Sequence, residues 1–183
     1  SLSGWLILDE AFIDVVSANQ SLIHLTTNKH LFVLRSVGKF FGLAGIRIGF
    51  LSAHPQWLNK LKQLSSPWEV NGPAQFIAEL ALNDHSWQSK QREQLMVLSI
   101  KLEQLLTEVF VEPNNSVIQN IEISGCGLFK TLLHPQATEL YEKFCRQGLY
   151  VRLCDENNAL RFGIPDQEQY RKLENLLAQH RHS

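Results

Sequence analysis

The stretch RSVGKFFGLAGIRIGF, residues 35–50, sets Lys39 and Arg47 among glycines and apolar residues. An ammonium in apolar surroundings is costly unless it is paired, neutralised or chemically modified. A lysine amine condenses with carbonyl compounds, and pyridoxal phosphate is the commonest carbonyl cofactor held in this way. Such a site needs a carboxylate to keep the pyridine nitrogen protonated, and cationic or backbone donors for the phosphate. Asp9, Lys39 and Arg47 are residues of those types, and glycines 38, 42 and 45 allow backbone to approach a phosphate. The same residues also suit plainer roles: Asp9 as a helix cap, Lys39 extended into solvent, Arg47 paired with Glu10 or Asp14.

Three short apolar runs position these residues. WLILDEAF (5–12) reads as a buried parallel strand that delivers Asp9 at its C-terminal end. HLFVLRS (30–36) ends where the lysine stretch begins, and IRIGFLSA (46–53) follows it. Strands joined in this manner predict part of an α/β sheet, with Asp9 and Lys39 both at strand ends. Trp57, Leu58, Leu61 and Leu64 predict an amphipathic helix over 55–65.

After the turn-rich SSPWEVNGP (65–73) the pattern becomes strongly helical to about Val109. Beyond it come an interrupted strand pair in IEISGCGLFKTLLH, a helix ATELYEKFCRQG closed by Gly148, strands LYVRLC and ALRFGIP, and the terminal helix QEQYRKLENLLAQH. The domain boundary is placed at this change of pattern, giving 1–70 as part of a large domain and 71–183 as long linking helices with a small α/β domain.

Bulk composition narrows the class. The 183 residues are 44% hydrophobic and 19% charged, as expected of a folded globular chain. Seventeen basic residues against eighteen acidic ones leave a formal charge of -1, which disfavours nucleic acid and anionic membranes as partners. No apolar run reaches the about 20 residues that span a bilayer, and no basic-then-apolar leader opens the chain, so a cytoplasmic protein is expected. Cys126, Cys145 and Cys154 lack CxxC spacing and read as reduced core thiols. The histidines, including His180 and His182, show no ligand spacing, so no metal is expected.

The order DEAF, then S-x-G-K-F-F-G-L-A-G-I-R-I-G-F, resembles the signature of fold type I pyridoxal-phosphate enzymes of the histidinol-phosphate aminotransferase group. Within that group DEAFID, VLRS, PWEVNGPA and LRFGIP resemble the threonine-phosphate decarboxylases of cobalamin biosynthesis. The resemblance implies that Lys39 binds the cofactor covalently, that Asp9 lies under the pyridine nitrogen, and that Arg47 holds the phosphate with Ser36 nearby. It also implies that Arg161 binds the substrate carboxylate and Arg152 a substrate phosphate; the plainer role for Arg152 is a surface pair with Asp155 or Glu156. Trp68 would lie near the cofactor edge. Two departures stand out: Gly38 replaces the Ser or Thr that precedes the lysine in many relatives, and Phe12 replaces a tyrosine.

The bond that breaks in such enzymes is the one standing perpendicular to the cofactor ring, so the arginines choose between loss of carbon dioxide and loss of a proton. The expected substrate is threonine phosphate, converted to aminopropanol phosphate; the alternatives are a histidinol-phosphate-type aminotransferase and a non-catalytic assembly module. Relatives of this group run to roughly twice this length. The chain is therefore expected to represent their C-terminal portion, with weak cofactor affinity, little turnover and exposed apolar surface that favours a homodimer.

Overall fold

Leu6–Asp9 forms strand β1 and Leu31–Ser36 forms β2, because each is a short apolar run bounded by turn-forming residues. In this computed structural model, which describes residues 4–16, 20–66, 69–111 and 120–178, the two strands pair in parallel, Leu6 opposite Leu31 and Asp9 opposite Leu34. The Glu10 amide extends the ladder by donating to the Leu34 carbonyl at 2.8 Å. Strand β3, Gly49–Ala53, returns antiparallel to β2, with Ser36 opposite Gly49. The order is β1-β2-β3. Among the described residues β1 has no neighbour on its outer edge, so Leu6 and Ile7 are exposed rather than buried as their sequence suggests (Ile7 64%).

Helix α1, Pro55–Leu64, starts with proline in its first turn and with His54 Nδ1 accepting from the Gln56 amide at 3.2 Å. Its Trp57 packs edge-on against Trp5 at 4.5 Å and donates to the Lys29 carbonyl at 3.0 Å. Asn71 caps α2, Gly72–Asn83, through Oδ1 to the Ala74 amide at 2.9 Å. Ala74 and Ala78 on α2 form a small core with Val37 and Ile48, so this helix packs directly on the glycine-rich stretch. Helix α3, His85–Leu106, continues into a π-helical turn at Thr107–Val111.

The chain divides into two compact units, 1–90 and 91–183. The second contains strands β4 (Glu122–Cys126), β5 (Phe129–Leu133), β6 (Arg152–Leu153) and β7 (Ala159–Gly163) in the order β4-β5-β7-β6, all antiparallel. Helices α4 (Ala137–Arg146) and α5 (Gln167–Ala178) complete it. Leu102, Leu106, Leu132, Phe144, Leu160 and Leu177 have no solvent exposure and form its centre.

Glycine is demanded at two places here. At Gly125 (φ +143°) a Cβ would lie 2.3 Å from the Phe129 carbonyl oxygen, so the β4–β5 hairpin closes only with hydrogen at that position. At Gly148 (φ +77°) the amides of Gly148 and Leu149 return to the carbonyls of Cys145 and Phe144, a Schellman motif that ends α4. The three cysteines are free but not core thiols: Cys145 is exposed, and Cys126 and Cys154 are half-buried. Trp68, His180 and His182 lie outside the described residues.

Candidate active site

Strand β2 ends at Ser36, whose Oγ accepts from the Gly38 amide at 3.3 Å and turns the chain out of the sheet. The loop that follows is pinned by its apolar residues: Val37 and Phe40 are buried, and the Phe40 ring meets Phe41 at 5.0 Å and Trp87 at 5.4 Å. Lys39 lies between these anchors with its own side chain exposed. The apolar neighbours are thus the buried part of the stretch, and the ammonium escapes the desolvation that the sequence suggests.

Lys39 Nζ sits over the Phe12 ring, 5.5 Å from its centroid. Phe12 follows β1 directly, so this contact joins the turn after β1 to the loop after β2. Parallel pairing makes that possible, because it brings the C-terminal ends of both strands to one sheet edge. Asp9 ends β1 at this edge. Its Oδ1 accepts from the Ala11 amide at 2.9 Å, and its second oxygen has no partner among the described residues. No ion pair joins Asp9 to Lys39 among those residues.

Arg47 closes a one-turn 3₁₀ helix, Ala44–Ile46, in the left-handed conformation (φ 55°, ψ 45°). A non-glycine residue held there carries backbone strain, a condition that clusters at functional sites. Its side chain is exposed, and its guanidinium has no hydrogen bond or ion pair among the described residues. The carboxylates that the sequence offers as its partners, Asp14 and Glu10, are otherwise engaged. Asp14 is buried against Arg35, while Glu10 accepts from Ser21 Oγ at 2.6 Å and the Leu22 amide at 2.8 Å.

The second unit holds the other two candidates on facing strands. Arg152 on β6 is directly opposite Arg161 on β7, and Thr131 on β5 is opposite Arg161 from the other side. Ser124 on β4 continues the row, so two hydroxyls and two guanidiniums cross four strands on one face. The opposite face carries the buried Leu132, Leu160 and Phe162. Arg152 is exposed and its pair with Asp155 is long, 3.6 Å, the plainer role read for it from sequence. Arg161 is half-buried, its guanidinium carbon 4.4 Å from the Phe129 ring centroid, and its buried Nε lacks a hydrogen-bond partner.

Sequence reasoning named both arginines but missed Phe129 and Thr131. Their alternation in FKTLL marks one strand face, but only the register shows which strand lies across from it.

The first unit therefore presents an amine, a carboxylate oxygen and a guanidinium without hydrogen-bond or ion-pair partners among the described residues, on and beside a loop whose Gly38 and Gly42 amides are bonded to Ser36 Oγ and the Lys39 carbonyl. That donor set fits an aldehyde-bearing, phosphorylated pyridine. The second unit presents two guanidiniums and two hydroxyls in one row, a donor set of the kind that pairs with anions.

Comparison with known proteins identifies the family. The family model for aminotransferase class I and II matches residues 1–176. Threonine-phosphate decarboxylase of Pseudomonas aeruginosa is 37% identical over 165 residues, covering 90% of this chain and 47% of that protein. The solved histidinol-phosphate aminotransferase of Clostridium acetobutylicum shares the fold with a TM-score of 0.84 at 21% identity, covering 97% of this chain and 54% of that one. A further histidinol-phosphate aminotransferase, from Sinorhizobium meliloti, was solved in complex with pyridoxal-5'-phosphate and aligns with a TM-score of 0.78 at 15% identity, covering 97% of this chain and 47% of that one. The chain spans about half the length of these relatives. It belongs to the aminotransferase class I and II family, whose members depend on pyridoxal phosphate.

Proposed function

We propose that the chain is the C-terminal portion of a pyridoxal-phosphate enzyme of the threonine-phosphate decarboxylase type, acting in the cytoplasm on a phosphorylated amino acid as a homodimer. The observation that carries this reading is the parallel β1–β2 pair, which sets Asp9 and the Lys39 loop at one sheet edge with Lys39 Nζ over Phe12. When bound, pyridoxal phosphate supplies an electron sink for a carbanion at the substrate α-carbon.

The chain's own groups do the rest. Lys39 holds the cofactor through Nζ and carries a proton at that atom. The second oxygen of Asp9 would accept a charge-assisted hydrogen bond from the ring N–H and so keep that nitrogen protonated. Arg47 and Ser36 hold the cofactor phosphate, and a loop amide replaces the hydroxyl that Gly38 lacks. Arg161 orients the substrate carboxylate by bidentate pairing, and its hold decides between loss of carbon dioxide and loss of a proton. Arg152 exchanges the exposed Asp155 for a substrate phosphate. Exposed Phe76 and Leu80 on α2 support self-association.

Cofactor titration tests the first step: adding pyridoxal phosphate produces an absorbance band that Lys39→Ala abolishes, and borohydride fixes the cofactor mass on Lys39. Absence of the band in both proteins favours the assembly-module reading.

The aminotransferase alternative is favoured by relatives such as histidinol-phosphate aminotransferase of Aliivibrio fischeri, 26% identical over 167 residues. Threonine phosphate supplied without a keto acid separates the two in a protein joined to the upstream half found in relatives. Carbon dioxide release supports decarboxylation, and dependence on a keto acceptor supports transamination.

A further inference from the structure

Two arginines directly across a strand pair repel each other, and such a pair persists only where something holds the side chains in place. Arg152 has Asp155. No carboxylate holds Arg161 among the described residues; its guanidinium lies instead on Phe129. Phe129 is two residues along β5 from Thr131, the residue opposite Arg161, so the ring is a diagonal neighbour on the same face.

We infer that Phe129 is a positioning residue for anion recognition: its ring holds the Arg161 guanidinium in a fixed plane without neutralising it. The inference rests on the reading of Arg161 as a substrate-binding group. An aromatic face attracts a guanidinium through its electron cloud and takes up none of the in-plane N–H donors. A carboxylate in the same place would occupy the donor fork and compete with every incoming anion.

Stacked on Phe129, Arg161 keeps its charge and its terminal N–H pair for a ligand. The stack also draws the guanidinium towards β5 and away from Arg152, which reduces repulsion before a dianionic ligand arrives. Thr131, directly opposite, adds a hydroxyl beside the same fork. Arg161 is thus the pre-organised contact of the row and Arg152 the adaptable one, since the latter's ion pair among the described residues is long and exposed.

The probe is O-phospho-L-threonine, which carries a carboxylate and a phosphate, titrated calorimetrically into the full 183-residue chain without cofactor. Phe129→Leu is expected to weaken binding about tenfold, the effect of losing a desolvated cation–π contact. Phe129→Tyr, which keeps the aromatic face, is expected to restore affinity to within about threefold of wild type. A second measurement needs no variant at position 129. The Arg161 Nε–H resonance, identified by its loss in Arg161→Lys, is expected to be shielded by the ring current in wild type.

Phe129→Leu binding like wild type, while Arg161→Ala binds weakly, overturns the positioning inference and leaves the substrate reading standing. Arg161→Ala binding like wild type, or no binding by wild type, overturns the substrate reading, and the inference falls with it. Should Phe129→Leu fail to fold, an unshielded Arg161 resonance in wild type overturns the inference, and a shielded one together with the Phe129→Tyr affinity supports it.

Discussion

The two sheets of this protein are built from similar short strands yet treat their apolar residues differently. In the second unit β5 and β7 alternate between a buried face, with Leu132 and Leu160 at 0% exposure, and a face that carries Thr131 and Arg161. In the first unit β1 leaves Leu6 and Ile7 exposed on the outer strand of its sheet. The contrast separates two uses of a strand: one completes a core, and the other sets a candidate functional residue, Asp9, at its end. Asp9 and Lys39 depend on where β1 and β2 stop, whereas Arg152 and Arg161 depend on which residues face each other across the strands.

The sharpest test of that contrast is truncation of one apolar side chain in each unit. Phe144→Ala should cost about 3–5 kcal/mol in urea unfolding, because Phe144 is fully enclosed. Ile7→Ala should stay within about 0.5 kcal/mol. Equal losses at the two sites would break the distinction.

A smaller effect separates two glycines, one in strand β4 and one in the loop after β2. Gly125→Ala meets the Phe129 carbonyl and should destabilise by about 3 kcal/mol or more, whereas Gly42→Ala has open space and only its φ of +67° to contend with, so about 1–2 kcal/mol is expected. Thermal unfolding of both variants measures the difference.

Replacing the strained arginine sharpens the comparison from the functional side. Arg47→Gly relieves the left-handed backbone and should leave stability unchanged or raise it by up to about 1 kcal/mol. It should also weaken pyridoxal-phosphate binding by at least about tenfold. A parallel loss of stability and binding would make Arg47 a structural residue.

The smallest expected effect is a pH slope. Burial in the second unit's core lowers the pKa of His134 below its ordinary value of 6.5, because the imidazolium is desolvated there. The unfolded chain takes up this proton near pH 6.5, so it binds more protons than the folded one below that value. The stability that the neutral ring contributes is complete above about pH 6.5 and is lost as pH falls towards the folded-state value. His134→Gln should flatten the slope of unfolding free energy between about pH 6.5 and 5.

Much of the fold was legible because hydrophobic periodicity is local: α1, α4, α5 and the β4–β5 pair lie within a few residues of where the patterns put them. Glycine chemistry was legible too, since a Schellman motif leaves its mark at Gly148. Exposure was not. WLILDEAF reads as buried because apolar runs usually are, yet exposure depends on what lies beside the strand rather than on the strand itself. The same reasoning misjudged Lys39, whose apolar neighbours turn inward and leave the amine outside.

By itself the sequence determined the residue types and their order: a carboxylate at the end of the first strand, a lysine after the second, an arginine eight positions later and two arginines near the end. The tertiary structure alone decided that Lys39 lies over Phe12, that Asp14 belongs to Arg35, and that Arg161 stands between Arg152 and Thr131 on a strand face shared with Phe129. The reason is physical. Periodicity is encoded along the chain within a few residues, whereas strand register and side-chain partners are set by long-range pairing that no local pattern specifies.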